Sequence, residues 1–431
     1  MKRILYTILL AIGTLSFSSC TDYINVDKYF YDQVSLDSAF SKRVYVDGWL
    51  SSAYSVMDYI GEYREPFRWA SDDLYHPDMK DYVEGNYSGA NQLINKDQKK
   101  SRLWKYYEGI RKASTFIQNV DRCSELTMDE IADMKGQARF LRAYCYWALI
   151  RVYGPVPLIP LEGLDVNLSY EELSLPREHF DNLVDFIDQE LAESARSLPT
   201  KRTVNNLGRP TRGAALGLRS RVLLYAASPL FNGNTDQASV KNKDGKQLFP
   251  QTEDNSKWAQ ARDAYERFMT FATGQGYKLT EVYTNGKLDP YASCRAAGEF
   301  FTTTWEAVDE LIFVKLRDLY DYTYWVCPKF TDFQDTDVTG GGGYYTTQET
   351  VDLFFTKDGL TIEEDPGYDK FEGIPGANNF TSGRYYDPNN PSRLYFDADK
   401  SKVLKQWKDR EPRFYVNITY SGSIWLNEGK Y

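Results

Sequence analysis

Between residues 128 and 152 apolar side chains recur every three or four positions: Ile131, Met134, Ala138, Leu141, Cys145, Ala148 and Val152. That step places them on one face of a long amphipathic helix. "GPVP" at Gly154 to Pro157 ends it, because glycine supplies a cap and prolines cannot continue the ladder. A second helix follows "LSLPREHF", with Phe180, Val184, Ile187 and Leu191 on one face, Pro176 in the tolerant first turn, and an end near Arg196. A third has Thr211 as N-cap, a stripe of Ala215, Leu218, Val222 and Tyr225, and Ser228-Pro229 as its stop. A fourth runs through Trp258, Ala261, Tyr265 and Phe268. "VYVDGWLSSAYSVMDYI" and "SRLWKYYEGIRKASTFIQNV" have the same character, so at least six helices are expected. Ala138, Ala148, Ala215 and Ala261 sit where helices can approach closely. The pattern predicts a mainly α fold, a tetratricopeptide-like stack of paired helices without a strict repeat.

Two stretches break the periodicity. Residues 61–100 form a loop rich in Tyr, Asp, Asn and Gly, and from about Tyr320 onward turn chemistry dominates in "TGGGGYY", "GIPGANNF" and "DPNNPS". Long loops on a helical scaffold commonly carry function. Residues 236–256 read as a further exposed excursion.

The start of the chain has a different pattern. Lys2 and Arg3 precede an apolar run from Ile4 to Phe17 that is too short to span a bilayer, the form of a secretory signal. Ser18 and Ser19 suit a signal peptidase, and Cys20 directly after them is placed to receive a diacylglycerol. Residues 1–19 are therefore expected to be a lipoprotein signal peptide and Cys20 the lipidated residue. An ordinary cleaved signal is the alternative.

With 431 residues the chain exceeds a comfortable single core, so two domains or one elongated array are expected. A net charge of -10 argues against nucleic acid as a partner. After Cys20 the cysteines Cys123, Cys145, Cys294 and Cys327 are widely spaced, which disfavours a disulfide framework. Aromatic residues make up 15% of the chain, with 34 Tyr and 9 Trp, which suits contact with a neutral, partly polar ligand.

Catalytic chemistry is sparse. His76 and His179 are far apart, which removes paired-histidine metal sites and most triads; His179 is expected to face solvent near a helix start. No phosphate-binding or nucleophile-elbow pattern occurs. Asp335, Asp337, Thr339 and Gly340 resemble the opening of a calcium loop, but Thr346 stands where a bidentate Glu is needed. Carboxylate pairs such as Asp72 with Asp73 and Glu306 with Asp309 keep a glycosidase open as an alternative, although in an acidic chain such pairs are mostly solvated surface. Trp147 and Trp258 are expected to pack between helices.

"KGQARFLRAYCYWALIRVYGPVPLI" at Lys135 to Ile159 resembles the SusD/RagB family of nutrient-binding outer-membrane lipoproteins. "ASDDL" at Ala70 to Leu74, "RPTRGAALGLRSRVLLYAA" at Arg209 to Ala227, "TTQETVDLFFTKDG" at Thr346 to Gly359 and "DREPRFYVNI" at Asp409 to Ile418 extend the resemblance along nearly the whole chain. It departs in Thr346, where the family has Pro, and in stopping at Tyr431 where members continue through further helices. The resemblance implies a SusD-like helical domain over 20–232 and a C-terminal SusD/RagB-type domain over 256–431, shortened at its end. It implies non-catalytic capture of oligosaccharides, or of peptides in the alternative, and delivery to a SusC-like TonB-dependent transporter. The protein would be lipid-anchored on the outer membrane, facing the exterior, with no cofactor and no metal. The residues expected to touch ligand are Trp69, Asp73, Tyr82, Asn86 and Tyr87 in the first loop and Tyr322, Tyr324 and Trp325 in the later one. Arg139, Arg142 and Tyr144 are expected to be structural.

Overall fold

A computed structural model of the chain describes residues 36–59, 73–75, 84, 102–165, 167–298, 309–315, 342–343, 345–371, 373 and 375–424. Six helices make the scaffold: α1 (Arg43–Tyr54), α2 (Arg102–Asn119), α3 (Met128–Tyr153), α4 (Phe180–Ser197), α5 (Arg212–Ala227) and α6 (Ser256–Gly274). Each packs on the next in sequence, giving a mainly α, tetratricopeptide-like stack.

Gly154 and Thr211 act at the helix ends as expected, and a capping box not read from the sequence opens α3. Thr127 and Glu130 form a capping box at the start of α3, and Gly154 closes it at a φ of 64° that favours glycine. The Thr211 side chain accepts from the Ala214 amide to open α5. The predicted apolar stripe of α3 is buried from Ile131 to Ala148, with Val152 half-buried, and Phe140, Tyr146, Trp147, Leu149 and Ile150 outside it are buried too. The cause is position in the stack: α2 covers one side of α3 and α4 the other, so little of its second half meets water. Gly109 of α2 crosses so close to α3 that a Cβ there would lie 3.0 Å from Cys145 Sγ.

Four expectations are corrected. Pro176 lies ahead of α4 and not in its first turn, because the helix begins only at Phe180. His179 is half-buried as the N-cap, its Nδ1 accepting from the Asp181 amide at 3.2 Å. Residues 236–256 are not wholly an exposed excursion: Leu248 and Phe249 are buried, and the Leu248 carbonyl accepts from the Phe180 amide. Phe180 there stacks on Phe231 at 4.4 Å and Phe249 at 5.7 Å between ring centroids. Trp147 does pack between helices, edge-on to Tyr225, but Trp258 is 43% exposed and Tyr265 53%. Of the expected stripe Ala261 is buried, and with Ala264 it makes the covered face of α6, since among the described helices α6 leans chiefly on α5.

Beyond the stack the chain uses α7 (Pro290–Gly298), α8 (Gln348–Asp352), α9 (Pro412–Asn417) and short antiparallel strands. β1 (Leu74–Tyr75) pairs with β4 (Tyr345–Thr346), β2 (Tyr283–Thr284) with β3 (Lys287–Leu288), β5 (Phe380–Thr381) with β8 (Val403–Leu404), and β6 (Arg384–Asp387) with β7 (Asn390–Asp397). A small second core gathers Val351, Tyr395, Phe396, Val403, Phe414 and Tyr415. Arg393 clamps it, forking onto Asp289 at 2.7 and 2.8 Å and reaching Asp387 at 2.7 Å. The guanidinium holds the Asp289 carboxyl well below the usual carboxylate range. Phe313 against Phe140, at 5.2 Å between centroids, and a Lys315 Nζ bond to the Met57 carbonyl join segment 309–315 to the helices.

Candidate functional site

Of the two regions singled out for ligand contact, residues 61–100 and the stretch beyond Tyr320, the described residues 74–75 of the first and 345–346 of the second pair as β1 and β4. Leu74 pairs with Thr346 and Tyr75 with Tyr345, and the Thr346 hydroxyl donates to the Asp73 carbonyl at 3.0 Å. Strands of two residues do not hold each other alone. β4 is fixed from its far end: Thr347 caps α8, its hydroxyl accepting from the Thr350 amide, and Val351 of that helix is buried in the second core.

Residues directly opposite in an antiparallel pair share a face, with Cβ atoms about 5 Å apart. Tyr75 and Tyr345 therefore stand side by side, and they are 41% and 55% exposed. Two exposed tyrosines on one face of a strand pair offer flat apolar surface and hydroxyls, the combination that packs on sugar C–H faces and meets their hydroxyl groups.

Of the eight residues expected to contact ligand, Asp73 stands at this junction, holding β4 through its carbonyl. Trp69, Tyr82, Asn86, Tyr87, Tyr322, Tyr324 and Trp325 lie outside the described residues, as do Cys20 and residues 1–19. Sequence reading missed Tyr75 and Tyr345. The signal for Tyr75 was local, since it directly follows "ASDDL"; its pairing with a residue in "GYYTTQE" carried no local signal.

Arg139 and Arg142 share Glu190 across the α3–α4 contact, at 2.7 and 3.5 Å, and burial pushes the Glu190 carboxyl up. Asp309 is paired with Lys278 at 3.2 Å. Among the described residues no three His, Cys, Asp or Glu side chains gather as a metal site, and no helix is long and apolar enough to cross a membrane. Cys123, Cys145 and Cys294 are free thiols, and burial pushes the Cys145 thiol up. A mostly apolar groove of about 820 Å³ runs along α5 and α6 beneath Trp258 and Tyr265.

Comparison with known proteins agrees along most of the chain. Residues 31–224 match a family described as "Starch-binding associating with outer membrane", and residues 310–431 match the SusD family. A SusD-like protein of Bacteroides ovatus is 26% identical over 249 residues, which is 54% of this chain and 42% of the relative. The solved structure of BT4246 superposes with a TM-score of 0.65 at 24% identity, covering 87% of this chain and 64% of that one. A SusD-like carbohydrate binding protein from Bacteroides fragilis superposes at 0.52 with 17% identity, covering 90% and 61%. The chain thus spans less than half of the curated relative and under two thirds of each of these solved structures. At these identities the two structures speak for the fold.

Proposed function

Because the chain belongs to the SusD/RagB family, we propose that it binds neutral oligosaccharides without catalysis, on a face centred on Tyr75 and Tyr345. The observation that carries this is the exposure of Tyr75 and Tyr345, which stand opposite each other across β1 and β4. A family matched through a starch-binding description and a similar structure named as carbohydrate binding support sugar as the ligand class. Binding by surface contact needs no nucleophile or metal, so the poverty in histidine is consistent with it.

Trp69, Asp73, Tyr82, Asn86, Tyr87, Tyr322, Tyr324 and Trp325 extend this face in the proposal, and captured sugars pass to a SusC-like TonB-dependent transporter. Cys20 carries the diacylglycerol that holds the protein on the exterior of the outer membrane, each buried methylene contributing about 0.8 kcal/mol. The test is calorimetric titration of the lipid-free protein with maltoheptaose, laminarihexaose, xylohexaose and mannohexaose. Tyr75→Ala and Tyr345→Ala are each expected to weaken the sugar that binds roughly tenfold, about 1.4 kcal/mol, with helical circular dichroism unchanged. Full affinity in both variants removes this face. Retention of peptides and of none of these sugars would replace the ligand class.

A further inference from the structure

A second concavity adjoins the ring pair. α8 begins just past β4, so Gln348 follows Tyr345 by three positions, at most about 10 Å of backbone. Gln348 and Asp352 stand one turn apart on α8 and form one wall of a pocket of about 400 Å³, with Tyr368, Phe371, Gln406 and Trp407 among the facing residues. That volume falls within the range of small-ligand sites.

The walls are fixed before any ligand arrives. Trp407 lies nearly parallel to Phe414 of the second core, at 5.7 Å between centroids and 27° between planes. The Tyr368 hydroxyl accepts from Arg410 Nη1 at 2.6 Å and donates to the Gln406 carbonyl, which locks its ring. The polar wall is different. The Gln348 amide donates to Asp352 Oδ1 at 2.7 Å, and the remaining side-chain oxygens of the two residues have no hydrogen-bond partner among the described residues. Rings held edge and face by the core, opposite open acceptors on a helix, match a ligand with apolar C–H faces and several hydroxyl donors.

Charge narrows the class. Lys370, also in the lining, is engaged by Glu363 at 3.3 Å, while among the described residues Asp352 has no basic side chain within ion-pair distance. A carboxylate so placed repels uronic acids and sulfated sugars and accepts from neutral ones. We infer that this pocket is a subsite for one neutral sugar ring of a glycan whose neighbouring units lie over Tyr75 and Tyr345. The subsite deepens the proposed function and rests on it.

The test titrates the full chain with the same four oligosaccharides, and then with Gln348→Ala and the near-isosteric Asp352→Asn. Each variant is expected to weaken the sugar that binds about fivefold, in keeping with the loss of a hydrogen bond to a polar or charged group, while the melting temperature stays that of the parent. Unchanged affinity in both variants, alongside a loss in Tyr345→Ala, overturns the subsite and leaves the ring face standing. Absence of binding to any of the four by the parent chain overturns the neutral-glycan reading itself, and the subsite with it.

Discussion

The helical stack and the C-terminal part both use arginine–carboxylate clamps, Arg139 and Arg142 on Glu190 in the one and Arg393 in the other, but in different proportion to apolar packing. In the stack, helices meet through small residues such as Ala138, Ala148 and Ala215 and through large buried rings such as Phe116, Phe140 and Phe180, all close to fully buried. Its apolar contacts need only the right spacing on each helix. The C-terminal part has short strands and a small core, and it relies on polar clamps. Arg393 bridges Asp289 and Asp387, and buried Arg410 donates to the carbonyls of Val351 and Phe354. Tyr395 and Tyr415 lie nearly parallel, 3.8 Å apart. A surface hung on many short, cross-linked segments can vary its loops without disturbing a helix, and the candidate ligand face is built on that kind of structure.

The contrast is sharpest under truncation. Phe180→Ala empties a site stacked on both Phe231 and Phe249 and is expected to cost about 4 kcal/mol, read as an earlier denaturant midpoint in helical circular dichroism. Arg393→Ala strands two buried carboxylates and is expected to cost about 3 kcal/mol, but the loss should surface as faster proteolysis after residue 345 while the helical transition stays in place. If both substitutions moved one common transition equally, the two parts would be a single cooperative unit and the comparison would fail.

How much of this was legible in the sequence follows the same divide. Helix faces repeat within three or four positions, so the stripes of α3, α4 and α5 and the cap at Thr211 follow from local spacing. α6 shows the limit. Of its predicted stripe only Ala261 is buried, joined by Ala264, while Trp258 and Tyr265 are exposed, because how much of a periodic side is covered depends on neighbours in the stack. The clamps were illegible for a plain reason: Asp289 and Arg393 are 104 positions apart, and Thr346 bonds a carbonyl 273 positions earlier. Nothing in the residues around Tyr75 announces Tyr345, so both loops could be marked as candidates but the pairing of these two residues could not.

The smallest expected effect tests the local half of the comparison, at the start of α3. Thr127 Oγ1 accepts from the Glu130 amide at 3.3 Å, Glu130 Oε2 accepts from the Thr127 amide at 2.9 Å, and Arg43 reaches Glu130 Oε1 at 2.6 Å from α1. Thr127→Ala is expected to cost about 1 kcal/mol and to shift the helical transition alone. The Thr127 amide, with the Arg43 guanidinium behind it, holds the Glu130 carboxyl down at about 2 against an ordinary 4.5. A carboxyl depressed on folding stabilises fully above its unfolded value, and that contribution disappears as pH falls from 4.5 toward about 2. Glu130→Gln should therefore flatten the pH dependence of the melting temperature within that window and leave it unaltered above. Because the carboxyl is solvent-exposed, 1 M salt should shrink the parent's slope toward that of the variant; a slope indifferent to both changes would mean the acid response arises elsewhere in the chain.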